Sequence, residues 1–293
     1  MKDAAKLFAY FAAVVLGGAV LAPILFWSAQ TAAAQGIAVF LLRFDFESFF
    51  HRALLICALL FLWPLLRSLR IRSLGDLQLR SNTQAWRDVG AGWLLAALPL
   101  GLTALALIEI GSFAVKNSIP WTGVGAVAAA AVAVPIIEET FFRGLILGIL
   151  LRAGRPFVAA LITSALFAVI HFLKAPDRTS ATVTWTSGFR SIGNSFSQFA
   201  DPILLLATFA TLFLVGLILA DARLRTASLW LPVGLHSGWI FVSGVVGKIT
   251  RQTTLMLPLL GKNLLVGLIP LGLGLVTWAL VAFLFPHANR NDN

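Results

Sequence analysis

Long apolar runs constrain the fold of this chain more than any other feature of its sequence. A transmembrane helix needs about 20 apolar residues. On that criterion the sequence predicts spans at about residues 5–27, 51–70, 90–115, 122–151, 156–174, 201–221, 227–247 and 263–285. A soluble domain of 293 residues that is 59% hydrophobic and only 12% charged cannot bury so much apolar surface. The predicted fold class is therefore all-α, a polytopic transmembrane helical bundle of about eight helices.

Two segments between the predicted spans differ from the rest. Residues 31–50 are only partly apolar and carry Arg43, Asp45 and Glu47, which favours an amphipathic interfacial helix over a ninth span. Residues 174–200 form a polar loop that is long enough to fold over the bundle and gate a substrate.

The net charge of +10 would indicate nucleic-acid binding in a soluble protein. In a membrane protein, Lys and Arg instead set the topology and contact lipid headgroups. We therefore expect the lipid bilayer as a partner and no nucleic acid. With eight spans, 13 of the 22 Lys and Arg residues lie on the side of both termini. This bias predicts a multi-pass protein with cytoplasmic termini, which we place in the plasma (inner) membrane.

An acidic pair, Glu138-Glu139, and Arg143 lie inside the fourth predicted span. Ionised groups at membrane depth are costly, at about 2.5–3.5 kcal/mol each on insertion scales, and they mark pairing, wet cavities or chemistry. Glu139 and Arg143 have the favourable i,i+4 spacing for an ion pair. Glu138 projects about 100° away on another face, where it is a candidate general base. The alternative is an ion-pair network that only locks helices together.

Two histidines, His171 and His236, also lie within apolar spans. From the helical rise of about 1.5 Å per residue, Glu138, His171 and His236 reach similar depths although their helices alternate in direction. The sequence therefore predicts that these three side chains converge on one site. The lone Cys57 lies in an apolar run and excludes both an intramolecular disulfide and a cysteine-clustered metal site.

The motif order resembles the CPBP family of intramembrane proteases, also called the Abi or CAAX-protease-like family, which includes the type II prenyl endopeptidases. The resemblance rests on Glu138-Glu139-x-x-x-Arg143, then Phe167-x-x-x-His171, then His236 in a later span. It implies three regions. Residues 1–119 hold N-terminal transmembrane helices with the amphipathic segment and a basic cytoplasmic loop. Residues 120–250 are the protease core, and residues 251–293 are the last transmembrane helix and a polar C-terminal tail.

The resemblance implies an intramembrane, glutamate-dependent endopeptidase that acts on a membrane-associated protein or peptide. Glu138 would activate a water molecule, and His171 and His236 would orient it or stabilise the oxyanion. Glu139, Arg143 and Phe167 would support them. No cofactor and no metal are expected, because no His-Glu-x-x-His helix is present. A divalent metal on Glu138, His171 and His236 stays open as an alternative.

One position departs from the family pattern. The third motif usually places Asn or Asp four residues after the histidine, and here that position is Ile240. Ser237, Trp239 or Ser243 could replace the missing oxyanion donor. The departure favours a first alternative, a non-catalytic binding or immunity protein on the same scaffold. A proton-coupled transporter that uses the same ionisable residues is a second alternative.

Overall fold

The computed structural model describes residues 2–77, 79–171, 182–195, 202–254, 258–261, 264 and 266–286. Of the predicted loop at 174–200, residues 182–195 are described, and they contain a short helix at Ser187–Ser195 that the sequence did not predict. The rest of that segment and nearly all of the C-terminal tail lie outside the described residues. In the described part of the chain the α-helices are α1 (Lys2–Ala34), α2 (Phe46–Ser68), α3 (Ala85–Glu109), α4 (Trp121–Glu139), α5 (Leu147–Leu151), α6 (Pro156–His171), α7 (Ser187–Ser195), α8 (Pro202–Thr226), α9 (Trp230–Ile249) and α10 (Leu268–Leu284).

Shorter elements connect these helices. The segments Val39–Arg43 and Gly75–Leu77 are 3-10 helices, and a π-helix at Thr140–Ile146 joins α4 to α5. The strands β1 (Phe113–Val115) and β2 (Thr250–Gln252) pair antiparallel.

Six helical stretches among the described residues are long and apolar enough to cross a membrane, and α4, the π-helix and α5 count as one of them. Two further apolar helices are shorter, α6 with 16 residues and α10 with 17. Each of the eight predicted spans corresponds to a helix. The predicted all-α, polytopic fold is confirmed, and the chain is an integral membrane protein.

The predicted amphipathic helix at residues 31–50 is wrong. Helix α1 continues to Ala34, a five-residue 3-10 helix follows, and α2 begins at Phe46. Ala38 has a left-handed backbone with φ of 52°, which interrupts helical geometry. The Asp45 carboxylate then accepts a hydrogen bond from the Ser48 amide at 2.9 Å, so that it caps the start of α2.

The third predicted span also ends earlier than residue 115. Helix α3 stops at Glu109, and Gly111 has a positive φ of 75°, a conformation that glycine adopts without strain. The chain then enters β1, which pairs Phe113 with Gln252 and Val115 with Thr250. This small antiparallel ladder ties the end of α3 to the end of α9.

The described residues divide into two compact units. The first contains residues 1–73 and 169–202, with α1, α2 and α7. Its core contains Ala19, Ala22, Phe46, Phe50 and Ala53. Helix α7 lies so close to α1 that a Cβ at Gly188 would overlap the Ala19 carbonyl.

The second unit contains residues 74–168 and 203–293, including α3, α4, α8, α9 and α10. Helix α6 belongs to this unit up to Ala168, and its last three residues belong to the first unit. The predicted regions divide the chain at residues 120 and 250 according to where the motifs lie. The two compact units do not test that division.

Helices α4 and α9 run antiparallel in the second unit. Glu139 contacts His236, and about two turns further along α9 Gly244 lies against Val127. On its opposite side α9 packs against α3 in backbone contact. A Cβ at Gly238 would lie 2.6 Å from the Trp93 carbonyl oxygen. Small residues allow such close helix contacts in membranes, and here they hold the back of the helix that carries His236.

Candidate active site

A fully buried ion pair forms the base of the site. The Arg143 Nη1 atom lies 3.0 Å from Glu139 Oε1, and both side chains have no exposed surface. This is the i,i+4 pair that the sequence predicts. Its members neutralise each other in a fully buried position, where a lone charge would be strongly unfavourable.

Further contacts fix the Arg143 guanidinium. Its Nη2 donates to the Gly216 carbonyl on α8 at 3.1 Å, and its Cζ lies 4.4 Å from the centroid of the Phe167 ring on α6. A guanidinium stacks favourably on an aromatic face. Arg143 therefore connects the π-helix to α6 and α8.

His236 contacts the same carboxylate oxygen. Its Nδ1 lies 2.8 Å from Glu139 Oε1, and the residue is buried with 6% of its surface exposed. An ionised carboxylate can only accept hydrogen bonds, so Nδ1 carries the proton in this contact. In the neutral imidazole Nε2 is then an acceptor. Sequence reasoning missed this Glu139–His236 hydrogen bond.

Glu138 faces that second imidazole nitrogen. The distance from Glu138 Oε2 to His236 Nε2 is 3.9 Å, and 28% of the Glu138 side chain is exposed. This separation exceeds a direct hydrogen bond. Two hydrogen bonds of about 2.8 Å to one shared water span it at an angle of roughly 90°. The geometry therefore suits a water that donates one proton to each group.

The π-helix Thr140–Ile146 follows directly after the acidic pair. Single π turns inside α-helices are frequent at functional sites. Here the wider turn carries Arg143 and separates it from α4, which ends with Glu139. Sequence reasoning missed the π-helix.

Phe167 occupies the gap between the two polar partners of Glu139. It is 1% exposed, and its ring centroid lies 6.0 Å from that of His236 in an edge-on arrangement. The Phe167 ring also stacks on Arg143, so that one side of both Arg143 and His236 faces an apolar surface. The supporting role that the family resemblance implies for Phe167 stays a prediction.

His171 ends α6 as an exposed residue and belongs to the first compact unit. Glu138, Glu139, Arg143, Phe167 and His236 belong to the second. The convergence of His171 with Glu138 and His236 therefore stays a prediction.

Ile240 lies one turn after His236, on the side of α9 that faces α4. It offers no hydrogen-bond donor from its side chain. The Ser243 hydroxyl donates to the Trp239 carbonyl at 2.6 Å, so it is engaged within its own helix. Ser243 therefore does not supply the hydrogen-bond donor to an oxyanion that is missing at Ile240.

A protein metal centre requires several converging donors. Among the residues that the structure describes, no group of three or more His, Cys, Asp or Glu side chains is arranged to hold a metal ion. The Nδ1 atom of His236 is also engaged by Glu139. The described residues therefore do not fit a metal centre.

The part of the chain that carries this site is similar to known proteins. Residues 120–242 match the family model described as type II CAAX prenyl endopeptidase Rce1-like. The predicted family resemblance is confirmed over this segment. An uncharacterized 24.3 kDa protein of Escherichia coli is 36% identical over 104 residues, which cover 35% of this chain and 35% of that protein. The chain thus spans about a third of the length of this curated relative. No solved structure matches the chain.

The Rce1-like segment contains every residue of the site that lies in the second unit. It begins just before α4 and ends within α9, so it includes the acidic pair, Arg143, Phe167 and His236. The fold of this segment is of the CAAX-protease type, within an integral membrane protein.

Proposed function

We propose that this protein is a glutamate-dependent intramembrane endopeptidase that hydrolyses a peptide bond of a membrane-associated protein or peptide. The observation that carries the proposal is the opposed pair of acceptors, Glu138 Oε2 and His236 Nε2, which lie 3.9 Å apart. Beneath them, the buried Glu139 carboxylate fixes the imidazole.

In the first step Glu138 acts as general base on a water between the two groups. The water oxygen forms a bond to the carbonyl carbon of the peptide, and its proton moves to Glu138. His236 Nε2 accepts a hydrogen bond from the water's other O–H, which stays on the oxygen, and so aims the oxygen lone pair at the carbonyl carbon, whose π electrons move onto the carbonyl oxygen. No covalent acyl-enzyme forms.

In the second step the tetrahedral intermediate collapses. The C–N bond breaks, and protonated Glu138 returns its proton to the leaving amine, which restores the carboxylate. His171 is assigned to the oxyanion or to the water, as the family resemblance implies.

The site's depth limits the form of the substrate. His236 lies six residues after the start of α9, about 9 Å along the helix axis. A cleavage site at this depth lies near the membrane surface. A peptide held at that surface by an anchor, including a prenyl group, suits this geometry.

Terminal proteomics tests the proposal without a known substrate. Membranes of cells that express wild type or Glu138→Gln are compared for new protein termini, with Glu109→Gln as a control at an acidic residue on another helix. We expect termini that occur with wild type and Glu109→Gln and disappear with Glu138→Gln and His236→Ala. Identical sets of termini in wild type and Glu138→Gln would remove the proposal.

Ile240 favours a second candidate function, a binding protein that recognises a peptide but does not cleave it. In that case Glu138→Gln, which preserves the shape of the side chain, keeps the cellular function. Loss of function in Glu138→Gln with retained peptide binding argues for hydrolysis instead.

A further inference from the structure

Gly216 lies at a close contact between α8 and α6. A Cβ at this position would lie 2.8 Å from the Ser164 Cβ and 2.9 Å from the Ser164 Cα. Both distances are shorter than normal carbon–carbon contacts. Ser164 is itself fully buried, and its hydroxyl donates to the Ala160 carbonyl at 2.7 Å. Only glycine fits at position 216 while the two helices keep this separation.

The Gly216 carbonyl is also a hydrogen-bond acceptor of Arg143, at 3.1 Å from Nη2. The guanidinium has no exposed surface, so water cannot replace an acceptor that moves away. Its other acceptor is Glu139 Oε1, at 3.0 Å. The orientation of Arg143 therefore depends on the distance of α8 from the π-helix as well as on Glu139.

The orientation of His236 depends in turn on Arg143, because both side chains bind Glu139 Oε1. The same oxygen lies 3.0 Å from Arg143 Nη1 and 2.8 Å from His236 Nδ1. A guanidinium that loses the Gly216 carbonyl must turn toward other acceptors, and the carboxylate turns with it. The imidazole then loses the contact that keeps its proton on Nδ1.

We infer that Gly216 is a positioning residue for the candidate active site, which acts through Arg143 and Glu139 to hold His236 as the Nδ1-protonated tautomer. This inference rests on the proposed function for its catalytic consequence. Its structural part concerns the imidazole alone and can be tested separately.

The test substitutes Gly216→Ala. We expect kcat on a processed peptide to fall by about 10–100-fold with KM little changed, because the water, not the peptide, loses its partner. Ser164→Gly removes the Cβ from the contact and should partly restore kcat in the double variant. Gly101→Ala and Gly272→Ala are matched controls, since an added Cβ there has nothing within 4 Å.

The tautomer is measured directly by ¹⁵N NMR of histidine-labelled protein at mildly alkaline pH. Only four histidines are present, and His236→Gln assigns the relevant signals. Wild type, Gly101→Ala and Gly272→Ala should show the Nδ1-protonated pattern for His236. Gly216→Ala should lose it, and the double variant should regain part of it.

Each outcome decides the inference. A folded Gly216→Ala protein with the wild-type pattern overturns it, whatever its activity. If Gly216→Ala does not fold, the double variant is measured in its place. An Nδ1 signal weaker than in wild type supports the inference, because the contact with the Ser164 Cα at 2.9 Å remains, and an unchanged wild-type signal overturns it. Changed NMR signals in a protein whose wild type cleaves nothing would retain the positioning role and remove only the proposed function.

Discussion

At the scale of single residues, one carboxylate oxygen of Glu139 serves two partners. It neutralises a buried guanidinium and accepts a hydrogen bond from the imidazole of His236. Glu138, its sequence neighbour, instead keeps 28% of its side chain exposed. On the proposed function, the adjacent carboxylates have different tasks, with Glu139 acting in stability and Glu138 in chemistry.

This difference predicts a large loss of stability for one glutamine substitution and almost none for the other. Glu139→Gln leaves the Arg143 cation buried without its counterion, and it should lower the free energy of unfolding by about 3–5 kcal/mol. Glu138→Gln should change it by less than about 0.5 kcal/mol. Thermal unfolding of both variants in the same detergent measures the difference. Equal melting temperatures would contradict the assignment.

The sequence was sufficient for some of these residues and insufficient for others. The Glu139–Arg143 pair follows from i,i+4 spacing on one helix, which depends on local geometry alone. The contacts of Glu139 with His236 and of Arg143 with Gly216 join helices that are far apart in sequence. The position of a residue along its helix could be estimated from the sequence. The rotation of the helix about its axis, which decides whether the side chain points toward its partner, could not.

At the scale of helices, α3 packs against the side of α9 that is opposite to His236 and so fixes the position of that histidine. Gly234 and Gly238 flank His236 on α9 and lie on the opposite side, against the α3 backbone at Val89 and Trp93. Helix α3 lies outside the segment that matches the family model. The site therefore depends on a part of the chain that carries none of the motifs.

This packing predicts a contrast between two glycines of α9. Gly238→Ala should destabilise the protein by about 1–3 kcal/mol, because its Cβ would overlap the Trp93 carbonyl. Gly247→Ala should be neutral or slightly stabilising, since nothing lies within 4 Å of its added Cβ. Unfolding in detergent again provides the measurement. Similar losses in both variants would show that the close contact is not what matters.

Helices were more predictable than the elements between them. Apolar length alone identified every long helix, because a bilayer leaves few other options for the backbone. The strands β1 and β2 have three residues each, too few for an alternating pattern. The π-helix differs from an α-helix by one residue per turn, and its sequence gives no comparable signal.

At the scale of the whole molecule, the number of membrane crossings depends on two short helices. Helix α6 spans 16 residues, about 24 Å, and α10 spans 17, about 26 Å, compared with a hydrocarbon core of about 30 Å. Eight crossings place the segment before α7 on the side opposite to the α5–α6 turn. Six crossings that omit α6 and α10 place them on the same side.

Cysteine labelling separates these arrangements. Thr186→Cys and Arg152→Cys, each in a Cys57→Ser background, place thiols at two exposed positions. With eight crossings and cytoplasmic termini, a membrane-impermeant maleimide should label intact cells at position 186 and not at 152. Permeabilised cells should be labelled at both, which controls for accessibility. Protection of position 186 in intact cells would mean that α6 does not cross.

The most direct test of the central claim is the cleavage rate of purified Glu138→Gln relative to wild type, in lipid vesicles, on a peptide identified by the terminal proteomics. If Glu138 takes the proton of the attacking water, the rate should fall by about 10²–10⁴-fold while the variant unfolds at the wild-type temperature. A folded Glu138→Gln protein that cleaves within a few-fold of the wild-type rate would contradict the claim.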